Sequence, residues 1–295
     1  MELEEIKNVA VIGVGSMGSQ IAELFARVGK YPVMIWDIND ELIWKGLESI
    51  RSRLKRYSLE KGKISEAEFN EVVNKIKGAT SIQEVMRNAD FVVEAVVDDL
   101  NIKESVFERL DQSSLPHTIL ATNTSGINVT EIGNATKRPD KVIGMHFFNP
   151  VAVMRLVEVV GGSLTSYETI NLTCSLARKL GKEPVVCKDF SFGFVANRGY
   201  RAMRDEALQM VWEHVTTPAD IDKALKLGFN LPMGPLELGD FTGGWGLEVS
   251  SEGAKIRATG KGVHPLIKIM VRAGYSGGGG KKGIYAFWDE IMSKW

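Results

Sequence analysis

Apolar runs and helical spacings alternate along the first part of the chain. The first run, Val9–Ile12, is short and unbroken, which is typical of a parallel strand covered by helices on both faces. Apolar residues at helical spacing follow it and predict an amphipathic helix: Ile21, Leu24, Phe25 and Val28. A second apolar run, Val33–Trp36, leads into Asp37. Strand, helix and strand within about 30 residues form a βαβ unit, whose strands are parallel because such crossovers are right-handed.

The alternation is interrupted once and then resumes. Between residues 40 and 78 the pattern predicts two long polar helices, and Ser65 with Glu68 forms a capping box at the start of the second. Another capping box, Ser81 with Glu84, precedes the buried strand Phe91–Ala95. Further strands are predicted at Thr118–Thr122, Lys141–Met145, Leu156–Val160 and Pro184–Cys187, with a helix at Ser166–Leu180. This order predicts a mostly parallel sheet, flanked by helices, that carries a helical-hairpin insertion.

Beyond Lys188 the pattern predicts helices and no strand. One helix covers Asn197–His214, another begins at Thr217-Pro218, and a last group lies near Pro265–Ala273. The chain of 295 residues has the length of two domains. We therefore predict an α/β domain over residues 1–188 and an all-α C-terminal domain over residues 189–295.

Composition and charge limit the partners of the protein. Apolar residues make up 44% of the chain and charged residues 25%, the balance of an ordinary folded protein. With 36 Lys and Arg against 37 Asp and Glu, no broad basic field is present to attract nucleic acid or anionic lipid. The acidic first residues lack the features of a signal peptide, and no apolar run reaches about 20 residues, so we expect a cytoplasmic protein with no membrane partner. Cys174 and Cys187 are interpreted as core residues, and no metal site is indicated.

A glycine-rich turn connects the first strand to the first helix. Gly13 permits the tight turn, Gly15 lets the backbone approach a pyrophosphate, and Gly18 lets helix and strand pack closely. Asp37 is placed to accept hydrogen bonds from a ribose 2′-hydroxyl and to repel a 2′-phosphate, which favours NAD over NADP. The candidate cofactor-binding residues of the turn are Gly13, Val14, Gly15, Ser16, Met17 and Gly18. Alone, these residues fit a simple glycine-rich turn equally well, but the strands and helix around them favour a Rossmann-type domain that binds NAD.

Polar residues stand at the ends of several predicted elements, where open α/β sheets bind ligands. His146 is the candidate general base, because histidine exchanges a proton near neutral pH. Glu158 lies in an apolar strand and needs a buried partner, which His146 would supply. Ser125 and Asn197 are the other candidate catalytic residues. Taken alone, such a histidine is more often a satisfied core residue, and Ser125 and Asn197 fit helix caps as well as they fit a site.

These motifs occur in an order that extends over nearly the whole chain. The segments are Gly13–Gly18, Val93–Leu100 with Lys103, Thr122–Ser125, His146–Pro150, Leu156–Val159, Asn197-Arg198 and Pro232–Pro235. Together they resemble the L-3-hydroxyacyl-CoA dehydrogenase family, which includes bacterial 3-hydroxybutyryl-CoA dehydrogenases. Two features depart from the family pattern. Asp98 stands where the family commonly has Glu, and residues 189–194 contain an extra residue and no proline.

The resemblance implies an NAD-dependent oxidoreductase that converts L-3-hydroxyacyl-CoA to 3-ketoacyl-CoA and back, as in the β-oxidation of fatty acids. It implies that His146 is the general base and that Glu158 is its partner. Ser125 and Asn197 would hold the substrate oxygen and the nicotinamide end of the cofactor.

The resemblance also extends to cofactor contacts and to assembly. It implies that Asp98 and Lys103 contact the cofactor together with Ser125, and the loosely matching end of the chain adds Lys281. It further implies a homodimer formed through the helical C-terminal domain.

Coenzyme A carries phosphates, which need basic side chains near the site. The insertion supplies them on its first helix and the following turn: Arg51, Arg53, Lys55, Arg56, Lys61 and Lys63. We interpret Arg53, Lys55 and Arg56 as substrate-binding residues, although each one fits a solvated helix face equally well. Two other functions stay open: an NAD-dependent dehydrogenase of a free hydroxy acid or sugar acid, and a protein that binds NAD without turnover.

Overall fold

Two units make up the chain, residues 1–190 and residues 191–295. The structure is a computed structural model, and it describes residues 1–190, 192–253, 256 and 261–294. The strands of the first unit are β1 (Val9–Ile12), β2 (Val33–Trp36), β3 (Ile76–Gly78), β4 (Phe91–Glu94), β5 (Ile119–Thr122), β6 (Val142–Phe147), β7 (Leu156–Gly161) and β8 (Glu183–Lys188). Its helices are α1 (Ser16–Arg27), α2 (Asp40–Leu54), α3 (Glu66–Lys75), α4 (Ile82–Met86), α5 (Leu100–Ser113), α6 (Val129–Asn134) and α7 (Tyr167–Lys179).

The eight strands form one sheet in the order β3-β2-β1-β4-β5-β6-β7-β8. Neighbouring strands are parallel except β6 and β7, which are antiparallel. Every residue of β1, β4 and β5 is buried, as the unbroken apolar runs predict for strands covered on both faces. The predicted mostly parallel sheet is therefore confirmed. Its strand order reverses at β1 and β4, and a crevice for a ligand forms outside the carboxyl ends of strands at such a point.

The predicted helical insertion is present, but it ends in a strand. Helix α2 continues into a single π-helical turn, Lys55–Leu59, and α3 begins at the predicted capping box of Ser65 and Glu68. The prediction of helix as far as residue 78 is wrong for Ile76–Gly78, which pairs with β2 as the edge strand β3. Burial of Ile76 beside β2 accounts for the difference, because tertiary packing overrides a weak local helical preference.

The start of α4 differs from its predicted capping box. Ser81 caps the helix as expected, because its hydroxyl accepts a hydrogen bond from the Glu84 N–H at 3.2 Å. The prediction that the Glu84 carboxylate accepts from the Ser81 N–H is wrong. The carboxylate accepts from the N–H of Thr80 instead, at 2.9 Å. The Glu84 carboxylate therefore holds Thr80, the residue before the N-cap, in place.

Strands β6 and β7 form the antiparallel pair of the sheet. The turn between them is too short for the crossover that a parallel pair needs. Gln20 of α1 holds this turn, since its Nε2 donates to Oδ1 of Asn149 at 3.0 Å and its Oε1 accepts from the Val151 N–H at 2.9 Å. The resulting register places His146 directly opposite Glu158.

The second unit is helical in the part that the structure describes. Its helices are α8 (Ala196–Trp212), α9 (Pro218–Phe229), α10 (Pro235–Thr242), α11 (Gly244–Ser250), α12 (Pro265–Arg272) and α13 (Ile284–Glu290). They enclose a separate apolar core that includes Leu208, Trp245, Leu266 and Phe287. The predicted all-α character is confirmed. Among the described residues, no helix has both the length and the apolar character needed to cross a membrane.

Candidate active site

The glycine turn after β1 combines close packing with open space. Gly13 has a φ of 83°, and a Cβ there would approach the carbonyl carbon of Ala95 to 2.9 Å. A Cβ on Gly18 would collide with the backbone of Gly13, so this glycine brings α1 close to β1. A Cβ on Gly15 would meet no atom within 4 Å. Protein packing therefore does not explain Gly15, whereas the approach of a pyrophosphate to the helix N-terminus does.

The N-terminus of α1 is suited to an anion. Its N-cap, Gly15, has no side chain that could accept hydrogen bonds from the first N–H groups of the helix. The other predicted cofactor-binding residues of the turn are Val14, Ser16 and Met17. Asp37 lies beside the turn at the end of β2, and its Oδ2 accepts from the Val14 N–H at 2.9 Å. A carboxylate in this place accepts from a ribose hydroxyl and repels a phosphate. The residues present therefore fit NAD.

His146 and Glu158 meet on neighbouring strands. The Nδ1 atom of His146 lies 2.8 Å from Oε2 of Glu158, and the exposed fractions of the two residues are 5% and 1%. The ring of Phe148 lies 4.5 Å from the imidazole between ring centroids. With Nδ1–H donating to the carboxylate, the imidazole carries its basic lone pair on Nε2. A buried carboxylate in this contact also stabilises a positive charge on the ring.

Ser125 lies after the carboxyl end of β5 and contacts Asp98. Its N–H and its hydroxyl donate to Oδ2 of Asp98 at 3.2 and 3.0 Å. Oδ1 of the same carboxylate lies 3.3 Å from Nζ of Lys103. Lys103 is fully buried, and its Nζ donates to Glu94 at 2.6 Å. The structure therefore joins Asp98, Lys103 and Ser125 by direct contacts, and it adds Glu94 to them.

Two residues of this region were missed by sequence reasoning. Glu94 carries the same signal that identified Glu158, a carboxylate inside an apolar strand, and it is fully buried. Asn123 accepts from the N–H of Phe147 at 2.8 Å through its Oδ1, and so ties the end of β5 to the residue after His146. No spacing rule predicts that bond, since it depends on β5 and β6 being neighbours.

The alternative of helix capping is wrong for both Ser125 and Asn197. The helix after Ser125 is capped by Asn128, whose side chain accepts from the Glu131 N–H. Helix α8 begins at Ala196, so Asn197 lies inside its first turn and is half-buried. The altered segment before it, residues 189–194, includes Ser191, which lies outside the described residues.

The basic residues proposed for substrate binding differ in their exposure and in their contacts. Arg53 is half-buried, and its Nε donates to Oε2 of Glu23 on α1 at 2.7 Å. Lys55 and Arg56 are exposed, and the guanidinium of Arg56 lies 5.3 Å from the ring centroid of Tyr57. Two of the three side chains are therefore presented to solvent, and the third is held within the first unit.

Lys281 belongs to the second unit and follows a run of glycines. It is exposed, and its N–H donates to the carbonyl of Gly278 at 2.9 Å. It lines a cavity of about 450 Å³ together with Asp240, Phe241 and Tyr285. Its predicted contact with the cofactor stays a prediction.

A phosphate-binding glycine turn, an acidic ribose partner and a buried histidine–carboxylate pair define the class of a nucleotide-dependent dehydrogenase. Residues 8–190 match the model of the 3-hydroxyacyl-CoA dehydrogenase NAD binding domain, and residues 193–287 match that of the 3-hydroxyacyl-CoA dehydrogenase C-terminal domain. The chain therefore belongs to the 3-hydroxyacyl-CoA dehydrogenase family and is an oxidoreductase that uses NAD. The resemblance read from the motifs and the choice of cofactor are confirmed.

Curated relatives and solved structures agree with this family over nearly the full length. The chain is 42% identical over 291 residues to a probable 3-hydroxybutyryl-CoA dehydrogenase of Bacillus subtilis, covering 97% of this chain and 99% of the relative. It is 41% identical over 284 residues to the 3-hydroxybutyryl-CoA dehydrogenase of Clostridioides difficile, covering 95% and 99%. The crystal structure of (S)-3-hydroxybutyryl-CoA dehydrogenase from Ralstonia eutropha superimposes with a TM-score of 0.87 at 35% identity, covering 95% of this chain and 99% of that chain.

Proposed function

We propose that this protein oxidises L-3-hydroxybutyryl-CoA to its 3-keto thioester with NAD, and catalyses the reverse reduction. The observation that carries the proposal is the buried contact of 2.8 Å between Nδ1 of His146 and Oε2 of Glu158 at the carboxyl side of the sheet. The substrate is supported by the names of the relatives in Bacillus subtilis and Clostridioides difficile. Fatty-acid β-oxidation is the setting that this reaction fits.

The proton of the 3-hydroxyl passes to His146. Its Nε2 accepts this proton, because Nδ1–H already donates to Glu158. The imidazolium that forms is buried, and the Glu158 carboxylate offsets its charge at hydrogen-bond distance. When bound, NAD supplies the carbon that accepts the hydride from the substrate. General-base help of this kind contributes about 10²- to 10⁴-fold to the rate.

Ser125 holds the substrate oxygen as it changes from hydroxyl to carbonyl. Its N–H and its hydroxyl both donate to Asp98. When the substrate binds, the hydroxyl donates to the substrate oxygen instead, and the N–H bond to Asp98 keeps Ser125 at the end of β5. Asn197 is proposed as a second hydrogen-bond partner of the oxygen on the family resemblance alone. Asp98 and Lys103 are proposed to order the cofactor side of the site.

Lys55 and Arg56 bind the phosphates of coenzyme A. Both side chains are exposed on the insertion. Arg53 donates to Glu23 instead, so Arg53 contributes positive charge near the phosphates without contacting them directly. We expect the variant Lys55→Ala/Arg56→Ala to raise KM for the thioester about tenfold and to leave KM for NAD unchanged. Lys45→Ala on the preceding helix α2 is the matched control; the Lys45 ammonium donates to Glu41. Equal effects on both KM values would contradict phosphate binding.

A homodimer through residues 189–295 and a cytoplasmic location complete the proposal. Large apolar side chains on the second unit are exposed, among them Leu227, Phe229 and Leu247, and such a surface is typical of an interface. Light scattering on the purified protein tests the dimer. A monomer at micromolar concentration would contradict it.

The deciding experiment follows NADH absorbance with L- and D-3-hydroxybutyryl-CoA, longer 3-hydroxyacyl-CoAs, free 3-hydroxybutyrate and L-gulonate. We expect turnover with the L-thioesters only. Turnover with a free acid alone would replace the proposal by a hydroxy-acid or sugar-acid dehydrogenase. NAD binding without NADH from any substrate would replace it by a binding protein that has no turnover.

A further inference from the structure

Glu94, the last residue of β4, is a fully buried carboxylate that accepts three hydrogen bonds. The Val96 N–H and Nζ of Lys103 both donate to its Oε1 at 2.6 Å. The hydroxyl of Thr122, on the neighbouring strand β5, donates to its Oε2 at 2.7 Å. Glu94 therefore ties together the end of β5, the loop after β4 and the first turn of α5.

Lys103 is enclosed by the groups that it contacts. It has no exposed surface, and its Nζ lies 2.6 Å from Glu94, 3.3 Å from Asp98 and 3.5 Å from the carbonyl oxygen of Val96. An ammonium in this place orders its neighbours, because its close contact with the Glu94 carboxylate holds it between β4 and the loop that carries Asp98. The cofactor contact that the family resemblance implies for Lys103 stays a prediction.

Asp98 carries the effect of this ion pair to Ser125. One of its oxygens faces Lys103 at 3.3 Å, and the other accepts the N–H and the hydroxyl of Ser125 at 3.2 and 3.0 Å. The Asp98 side chain is itself 42% exposed, so water competes for it unless the ammonium holds it. The chain of contacts Glu94, Lys103, Asp98 and Ser125 thus runs from the core to the residue proposed to hold the substrate oxygen.

The opposite end of the same helix provides a comparison. Asp111, near the end of α5, contacts Nε of Arg138 at 2.5 Å and accepts the N–H of Lys137 at 2.9 Å. That pair ends on backbone groups and contacts none of the candidate catalytic residues. The pair at the start of α5 instead ends on a side chain assigned to the reaction.

We propose that Glu94 is a positioning residue that acts through Lys103 and Asp98 to hold Ser125 in place at the end of β5. Lys103 and Asp98 carry the effect of the Glu94 charge to Ser125. The inference rests on the proposed function, because Ser125 matters only where a substrate oxygen is held.

Removal of the Glu94 charge shifts the ammonium toward its remaining partner. In Glu94→Gln, Lys103 pairs with Asp98 alone and weakens that carboxylate as an acceptor from Ser125. We expect Glu94→Gln to lower kcat by about 10- to 10²-fold, less than the loss of about 10²- to 10³-fold in Ser125→Ala.

The decisive measurement is a double-mutant cycle. In the Ser125→Ala background, Glu94→Gln is expected to change kcat by less than about twofold, because the group through which it acts is gone. Asp111→Asn is the matched control: it removes a buried carboxylate from the same helix, and we expect a lower melting temperature with kcat unchanged. A full loss from Glu94→Gln in both backgrounds would overturn the inference and leave a purely structural ion pair.

A second variant and a second readout keep the test independent of folding and of turnover. Glu94→Asp retains the charge on a shorter side chain, and the same disappearance of its effect in Ser125→Ala is expected. In cofactor-free protein, Glu94→Gln should speed amide hydrogen exchange in residues 95–99 and 122–126, while Asp111→Asn leaves it unchanged. Unaltered exchange in Glu94→Gln would overturn the inference, whereas absence of NADH from the native protein would overturn only the proposed function.

Discussion

The two ends of the sheet both carry buried carboxylates, and they use them differently. At the amino ends of the strands, Asp90 accepts the N–H groups of Lys7 and Asn8, each at 2.8 Å, and contacts Nε2 of His117 at 2.8 Å. At the carboxyl ends, Glu94 accepts two of its three hydrogen bonds from side chains, and Glu158 contacts the imidazole of His146. The first arrangement fastens loops, because backbone donors cannot move independently of the fold.

In the second arrangement, buried carboxylates contact side chains whose protons can move or be transferred. Glu158 contacts an imidazole, and Glu94 contacts a hydroxyl and an ammonium. Such partners change their protonation or their hydrogen bonds when a ligand arrives, which backbone amides do not. Two ends with similar charge and burial therefore serve stability and chemistry respectively. Four variants test this distinction.

His146→Gln gives the largest expected effect. Glutamine retains a polar side chain but accepts no proton, so kcat with 3-hydroxybutyryl-CoA should fall by about 10²- to 10⁴-fold. NAD affinity, measured by fluorescence titration, should stay nearly unchanged. The counterpart at the amino end, His117→Gln, should leave kcat unaltered. Undiminished turnover in His146→Gln would remove this histidine from the mechanism.

Glu158→Gln comes next. The amide still accepts a hydrogen bond from Nδ1 of His146, but it no longer offsets the charge of the imidazolium, and kcat should fall by about 10²-fold. Asp111→Asn is again the counterpart from the amino end. If both variants lowered kcat equally, the division between chemical and structural carboxylates would fail.

Asp37→Ala tests an exception, because this carboxylate lies at the carboxyl end and yet accepts from the backbone N–H of Val14. Loss of a charged hydrogen bond of about 1.5–3 kcal/mol should raise KM for NAD by about 10- to 10²-fold and should narrow the preference over NADP. The maximal rate at saturating NAD should be preserved. Asp40→Ala, an exposed carboxylate at the start of α2, is the control. An unchanged KM would show that Asp37 only fastens the glycine turn.

Asp90→Asn should change stability and not catalysis. Burial alone would raise the pKa of Asp90, but the hydrogen bonds from His117, Lys7 and Asn8 outweigh it and hold this pKa below its ordinary value. The charged form therefore stabilises the fold above the unfolded pKa of about 3.9, and this contribution is lost as the pH falls through the lower folded pKa.

Urea unfolding of the Asp90→Asn variant at two pH values measures this contribution. We expect a loss of about 1–3 kcal/mol at neutral pH, shrinking below about pH 4, with kcat unchanged. Asp140→Asn, an exposed carboxylate of the same unit, should show neither effect. A reduced kcat in Asp90→Asn would contradict the assignment of the amino end of the sheet to stability alone.

The short-range features of the fold could be predicted because the local pattern carries them. The apolar runs located seven of the eight strands, and the glycine turn, the capping box at Ser65 and the end of β2 at Asp37 followed from spacing. The strand β3 was missed, since three residues at a sheet edge carry too little pattern. The argument used for Glu158 also applies to Glu94. Its partner Lys103 is on a different element, and only the family resemblance pointed to that residue.

Sequence alone determined which residues face the interior, because period-two and period-3.6 patterns are local and burial follows from them. Tertiary structure decided which buried charges meet. The antiparallel register opposes His146 and Glu158, and the neighbouring positions of β4 and β5 bring Thr122 to Glu94 across 28 positions of the chain. Similarly, Arg53 is engaged by Glu23 only because α2 packs on α1. Strand order and loop closure determine these partners, and both depend on contacts between residues far apart in the chain, which no local pattern predicts.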